Sequence, residues 1–189
     1  MCHAILQDIK FFQLLHRIDL ELAQQTHAQG CPCGAALHQA NYPRKPRGCP
    51  AEVRASFGSR LSFCCSDCRK RSTSLSVRFL GRRVYLGLAV VLMSAQLTQS
   101  TAITTRLSQN LQVPLRTLQR WRQWWREIFP MTSFWQATCA RFMPPVVTDA
   151  LPASLMVRFG ECTAEPLTRL LDFLSPITLA SLITLKQAC

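Results

Sequence analysis

Acidic residues are scarce in this chain. Ten Asp and Glu face 22 Lys and Arg in 189 residues, for a net charge of +12. No paired general acid and base, no Ser/His/Asp set and no phosphate-binding glycine loop can be picked out, which argues against the common hydrolase and nucleotide-binding chemistries. Long apolar runs are also missing. The longest, Val84 to Met93, is about half of a membrane span. Near the N-terminus, Asp8 and Lys10 interrupt the only apolar run that could form the core of a secretory signal. The reading is therefore a cytoplasmic, nucleoid-associated protein with no membrane partner. In that compartment ten cysteines imply thiols and metal ligation instead of a disulfide framework.

What is present is unevenly placed. Between Arg44 and Arg83 there are eleven cations (Arg44, Lys45, Arg47, Arg54, Arg60, Arg69, Lys70, Arg71, Arg78, Arg82 and Arg83) against Glu52 and Asp67. Five more cations lie between Arg106 and Arg126, so 16 of the 22 occupy two segments. Such clustering suits a surface that meets phosphates. A membrane surface would attract the same charge, but neither segment is a basic helix with a lipid-seeking face. A hydrophobic content of 48% is enough for real cores, so the chain is no disordered basic tail.

The segment from Cys31 to Arg83 organises the rest. It opens on Cys31-Pro32-Cys33-Gly34, reaches Cys64-Cys65-Ser66-Asp67-Cys68, and continues into Arg69-Lys70-Arg71. Closely spaced cysteines in a turn deliver two soft ligands at little backbone cost, and Gly34 lets the chain turn after the first pair. Cys65-x-x-Cys68 has standard knuckle spacing, whereas Cys31-x-Cys33 is tighter than usual. The favoured set is Cys31, Cys33, Cys65 and Cys68 around a structural Zn2+, with Cys64, Cys49 and His38 as substitutes and buried or disulfide-bonded cysteines as the plain alternative.

Around this segment, Phe11, Leu15, Ile18 and Leu22 mark a helix from about Ile5 to Ala28 that Gly30 can end. Its apolar stripe can cover the ribbon or a second copy of the chain, which makes a homodimer a candidate assembly. His3, His16 and His27 read as surface or helix-face residues. Tyr42 to Gly48 is kept extended by prolines and suits contact with a phosphate backbone or a minor groove. Leu75, Val77 and Phe79 alternate as in a strand beneath the metal. Val84 to Leu97, apolar nearly all round, predicts a buried helix.

Ser100 to Leu111, Gln112-Val113-Pro114, and a second helix running to Phe129 make a helix-turn-helix candidate. Leu118, Trp121, Trp125 and Ile128 form its inward stripe. Arg116, Gln119, Arg120 and Gln123 then face outward, with the side-chain types that bind guanine and adenine edges, and Arg126 suits a phosphate. The plain alternative is a solvated basic face. After Pro130 the chain breaks into short pieces, among them an amphipathic helix with Leu167, Leu170, Leu171 and Leu174. Cys139, Cys162 and Cys189 read as buried or incidental.

Cys65-Ser66-Asp67-Cys68-Arg69-Lys70-Arg71, followed by Leu111-Gln112-Val113-Pro114-Leu115-Arg116-Thr117-Leu118-Gln119-Arg120-Trp121, resembles the zinc-ribbon plus helix-turn-helix DNA-binding region of bacterial insertion-sequence transposases and their accessory proteins. Gln112 stands where that pattern has a turn glycine, and Pro114 where it has a serine cap. The resemblance spans about 100 residues of the chain. It implies a fold that is mainly α with a small β zinc ribbon. The expected parts are an N-terminal amphipathic helix (1–30), the ribbon (31–83), a helix-turn-helix domain (84–130) and a helical C-terminal segment (131–189).

It also implies a zinc-dependent, sequence-specific binder of double-stranded DNA, with a transposase or integrase as protein partner. The DNA contacts would be Arg44, Lys45, Arg47, Arg69, Lys70, Arg71, Arg116, Gln119, Arg120 and Gln123. Transposases of this kind cut DNA with three carboxylates on a large sheet. Only Asp149, Glu161, Glu165 and Asp172 follow the helix-turn-helix candidate here, so no nuclease chemistry is expected. Competing readings are a transcriptional regulator, an RNA-binding or bridging adaptor, and a truncated recombinase.

Overall fold

The computed structural model describes residues 4–46, 48–80, 86–96, 105, 108–109 and 113–177. Most of the described chain is helical, with a small antiparallel sheet. Helix α1, Ile9–Gln29, starts where the Asp8 carboxylate accepts hydrogen bonds from the N–H groups of Lys10 and Phe11. It ends at Gly30, whose positive φ of 69° releases the chain straight into Cys31.

The next segment folds as a broken hairpin. Strands β1 (Leu37–Gln39), β2 (Tyr42–Pro43), β3 (Ser59–Arg60), β4 (Ser62–Cys65) and β5 (Arg71–Thr73) follow one another. β1, β4 and β5 form one antiparallel sheet in the order β1-β4-β5, and β2 pairs with β3. Between β2 and β3 the chain makes an excursion of short 3-10 turns that carry the buried Val53 and Phe57. The excursion packs on α2, Gly87–Gln96: a Cβ on Gly48 would lie 2.9 Å from that of Ala89. Leu86 to Ser94 are all buried, as the all-round apolar run predicts.

The strand expected through Leu75, Val77 and Phe79 stops at Thr73. Beyond it the backbone finds side-chain partners instead of a ladder. Arg60 donates to the Ser74 and Leu75 carbonyls, and the Val77 N–H donates to Asp19. Asp19 is the pin of this region. Its carboxylate also accepts from Ser76 Oγ at 2.5 Å and from Arg78 Nε at 2.7 Å, all of it buried. Arg78 spends its remaining donors on the carbonyls of Ser56 and Ser59 and lies against the rings of Phe57 and Phe79. One ion pair thus ties α1, the excursion and the segment after β5 together.

Arg60 and Arg78 are therefore interior groups, 3% and 1% exposed, and leave the basic surface that the charge count assembles. Burial, with the nearby Arg78 and Arg44 charges, brings Arg60 down to about 10 against the pull of Asp19. It stays protonated at neutral pH.

Helix α3, Leu115–Gln123, continues into a π-helical turn, Trp124–Ile128. Leu118, Trp121 and Trp125 are buried as expected, but Ile128 is 43% exposed and Phe129 takes its place in the core. On an uninterrupted α-helix Ile128, seven residues beyond Trp121, would share its face; the wider π-helical turn over Trp124–Ile128 turns Ile128 outward and gives Phe129 the core position. The preceding helix, read over 100–111, lies outside the described residues apart from Thr105, Ser108 and Gln109, which are helical.

The C-terminal part forms α4 (Ser133–Thr138), α5 (Ala153–Phe159) and α6 (Ala164–Leu174). Leu167, Leu170, Leu171 and Leu174 are buried, as their spacing predicts. A chain of ring contacts links Trp125, Phe129, Trp135, Phe142, Phe159 and Phe173. One continuous hydrophobic core holds α1, the excursion, α2, α3 and these helices. A second, smaller core of Ala23, Leu37, Leu61 and Phe63 sits under Cys31 and Cys65.

Removing one partner of a buried ion pair leaves the other charge uncompensated, so Asp19→Ala should lower stability by about 3–5 kcal/mol in denaturant titration. Glu127→Gln, which breaks the exposed Arg126–Glu127 pair, should leave the midpoint unchanged within error.

Candidate metal centre

The α1 C-terminus, the hairpin and the second knuckle converge on four sulfurs. Gly34 N–H donates to the Cys31 carbonyl at 2.8 Å, closing the first turn, with Gly34 at φ 83°. Register pairs Leu37 with Cys65 across β1 and β4, and Ser66 N–H reaches the Ala36 carbonyl at 3.0 Å, so the second turn lies beside the first. Cys65 N–H donates to the Lys70 carbonyl at 3.0 Å and closes it. Arg69, directly after Cys68, adopts φ 58°, the position equivalent to Gly34 in the first turn. A left-handed arginine is costly, and the tight return after Cys68 is what holds it there.

Cys31, Cys33, Cys65 and Cys68 have sulfurs all within 4.8 Å of one another. The distances are 3.3 Å for Cys33–Cys31, 3.4 Å for Cys33–Cys65 and 3.5 Å for Cys31–Cys68. A tetrahedron of thiolates about 2.3 Å from zinc has S–S edges of about 3.8 Å. The cluster is thus the size of a four-sulfur metal site, and these residues lie close enough to hold a metal ion. Cys31 and Cys65 face the small core, while Cys33 and Cys68 are exposed.

The substitutes stand apart from this group. Cys64, on the opposite face of β4, contacts the carbonyls of Cys65 and Arg69. His38 is exposed on β1, and Cys49 is buried in the larger core. Cys139 is a free thiol, and Cys162 is disulfide-bonded, which the reading of scattered, incidental cysteines did not foresee.

The electrostatics favour a cation. Burial works against ionising Cys65, but N–H groups of Asp67 and Cys68 and the thiols of Cys33 and Cys68 hydrogen-bond its sulfur and bring it down to about 6. Cys31 goes the other way. The Cys33 N–H favours its thiolate, yet the Cys33 thiol, burial and the thiols of Cys68 and Cys65 outweigh that and push it up to about 12. Cys65 thus favours the thiolate while Cys31 resists it. A dication removes that conflict by stabilising all four.

His27 has a role that its place on the helix face does not announce. Its Nε2 lies 3.0 Å from the Leu37 carbonyl and its ring leans on Phe63, which seats the end of α1 on the hairpin. His16 is half-buried beside Phe57, and burial, then the Arg78 charge, lowers its pKa against the pull of Asp19. His3 lies outside the described residues.

The basic residues read as DNA contacts fall in two places. Lys45, Arg69, Lys70 and Arg71 are exposed around the hairpin and second knuckle, Arg44 is half-buried, and Arg47 lies outside the described residues. On α3, Arg116, Gln119, Arg120 and Gln123 are all exposed and opposite the buried Leu118 and Trp121. Gln123 donates to Glu127 Oε2 at 2.8 Å, and Arg126 pairs with the same carboxylate. Asp149, Glu161, Glu165 and Asp172 are exposed and spread over a turn, a loop and α6. Among the described residues no helix is long and apolar enough to cross a membrane.

Cys33→Ser and Cys68→Ser should each reduce bound metal well below one ion per chain, by elemental analysis, while Cys64→Ser and Cys49→Ser should retain it. Chelation of bound metal should unfold the hairpin and leave most helical circular dichroism. Arg69→Gly, which relieves the left-handed arginine, should bind the metal at least as firmly as the native chain.

The chain matches no family model, no curated protein and no solved structure.

Proposed function

We propose that the protein is a zinc-dependent, sequence-specific binder of double-stranded DNA that serves a mobile element as an accessory or recognition protein. The observation that carries this reading is the four-sulfur cluster with Arg69, Lys70 and Arg71 directly behind it, all three exposed. Zinc suits four cysteines in two tight turns, and filling such a site adds roughly 10 kcal/mol or more to folding. The metal would fix the direction in which those cations point.

The second support is α3. Its outward face carries Arg116, Gln119, Arg120 and Gln123, with Leu118 and Trp121 fixing the opposite face in the core. Arg and Gln offer the bidentate donors that distinguish guanine and adenine in the major groove. Val113 N–H donates to the Ser108 carbonyl and Ser108 Oγ to the Val113 carbonyl, which ties the residue before Pro114 back to helical Ser108 and is in keeping with a helix-turn-helix. In this reading cleavage and strand transfer belong to a separate transposase or integrase, because the chain's late acids are exposed and spread over a turn, a loop and one helix.

Selection of bound sequences from a random duplex pool tests the proposal. A defined motif should emerge with metal-loaded protein and vanish after chelation. Arg120→Ala should weaken binding roughly ten- to hundredfold at one base pair of that motif and relax its identity. Enrichment of structured RNA, or of no sequence at all, would overturn the reading.

A further inference from the structure

The foot of the ribbon carries more positive charge than its own carboxylates balance. Asp19 is committed to Ser76, Val77 and Arg78, and it also offsets the buried Arg60. Arg44 and Arg71 lie just outside this buried group. Among the described residues neither pairs with a carboxylate. Both are held in place by neutral groups: Arg71 donates to the Ala40 carbonyl at 2.7 Å, and Arg44 to the Pro43 carbonyl at 3.2 Å. Both also lie over the same ring, with Arg71 4.1 Å and Arg44 5.7 Å from the centre of Tyr42. Arg44 is half-buried and its Nε is buried without an acceptor.

We propose that Arg44 and Arg71, positioned on Tyr42, form a seat for phosphodiester groups, so that the ribbon grips the nucleic-acid backbone while α3 reads bases. The partner assignment rests on the DNA-binding reading; the phosphate chemistry rests on the residues themselves.

Three features lead there. A guanidinium held over an aromatic ring and tied to a carbonyl has lost much of its rotamer freedom before any ligand arrives, so binding costs less ordering entropy. Its remaining N–H donors match the paired oxygens of a phosphate. The same ties keep it from extending into a groove, since the reach needed to touch a base edge is spent on Tyr42 and Ala40. A desolvated cation with no anion nearby is the state that a phosphate oxygen relieves; burial already lowers the Arg44 pKa, against a smaller opposing influence of Tyr42. Lys45, Arg69 and Lys70, exposed nearby in sequence, extend the seat along a strand. Tyr42 acts as a positioning residue.

The test uses the metal-loaded full chain and three probes: an A·T-rich duplex, a G·C-rich duplex and inorganic polyphosphate, each titrated over a salt series. Arg44→Gln and Arg71→Gln should each weaken all three probes by the same factor and reduce the salt slope on duplex by about 0.9. Tyr42→Ala should behave like Arg71→Gln, and Tyr42→Phe, which keeps the ring, should recover. Metal content of each variant reports that the ribbon is folded. Loss confined to one duplex, or polyphosphate binding unchanged in both arginine variants, overturns the seat. If the native chain binds polyphosphate through Arg44 and Arg71 but ignores duplex, the seat stands and the DNA reading falls.

Discussion

Four sulfurs held within 4.8 Å of one another impose the condition that the hairpin must meet. As thiolates they repel; as thiols they crowd. A dication is the simplest thing that makes them compatible, and it would then anchor both turns that generate the hairpin register. From that register follow the positions of Arg69, Lys70 and Arg71, which leave the second turn directly. Gly34 and Arg69 occupy equivalent left-handed positions after each cysteine pair. The two turns differ in length and closure but share this left-handed exit, with a glycine in one and a cation in the other. Placing a cation there at a backbone cost is understandable if its charge is useful beside the four sulfurs.

The sulfur cluster alone would leave a loosely attached hairpin. The Asp19–Arg78 pair joins it to the larger core, reaching from the middle of α1 to a residue 59 positions later. Because Arg78 also bonds to Ser56 and Ser59, the excursion between β2 and β3 is held by the same guanidinium. His27 adds a smaller tie at the end of α1. The α1 stripe is consequently covered by the chain's own excursion and core, with Phe11, Phe12 and Leu15 almost fully buried. The four-sulfur cluster and α3 are parts of one chain built on the α1 and α2 layer, and the basic residues of the two sit on separate elements.

Local pattern was legible where one physical requirement dominates. The cysteine spacing identified the four sulfurs, because tight turns are the only cheap source of paired ligands. Gly30 marked the end of α1, and the all-round apolar run marked α2. What the sequence hid depends on distant partners. Arg60 and Arg78 look like members of a basic surface, and only the fold shows that carbonyls and Asp19 take them inside. A signal was present nonetheless: Asp19 lies four residues from both Leu15 and Ala23, on the helix face that must be buried, and an acid there needs a cationic or N–H partner. The strand expected past Thr73 failed because side chains compete for its backbone groups. Ile128 fits the stripe of a continuous α-helix, and the π-helical turn that hands its place to Phe129 leaves no mark in the spacing of apolar residues.

The most direct test is X-ray absorption at the metal edge, with elemental analysis, on protein purified under reducing conditions. The account predicts one zinc per chain surrounded by four sulfurs at about 2.3 Å. Stoichiometric absence of metal, or a first shell of nitrogen and oxygen, would contradict it.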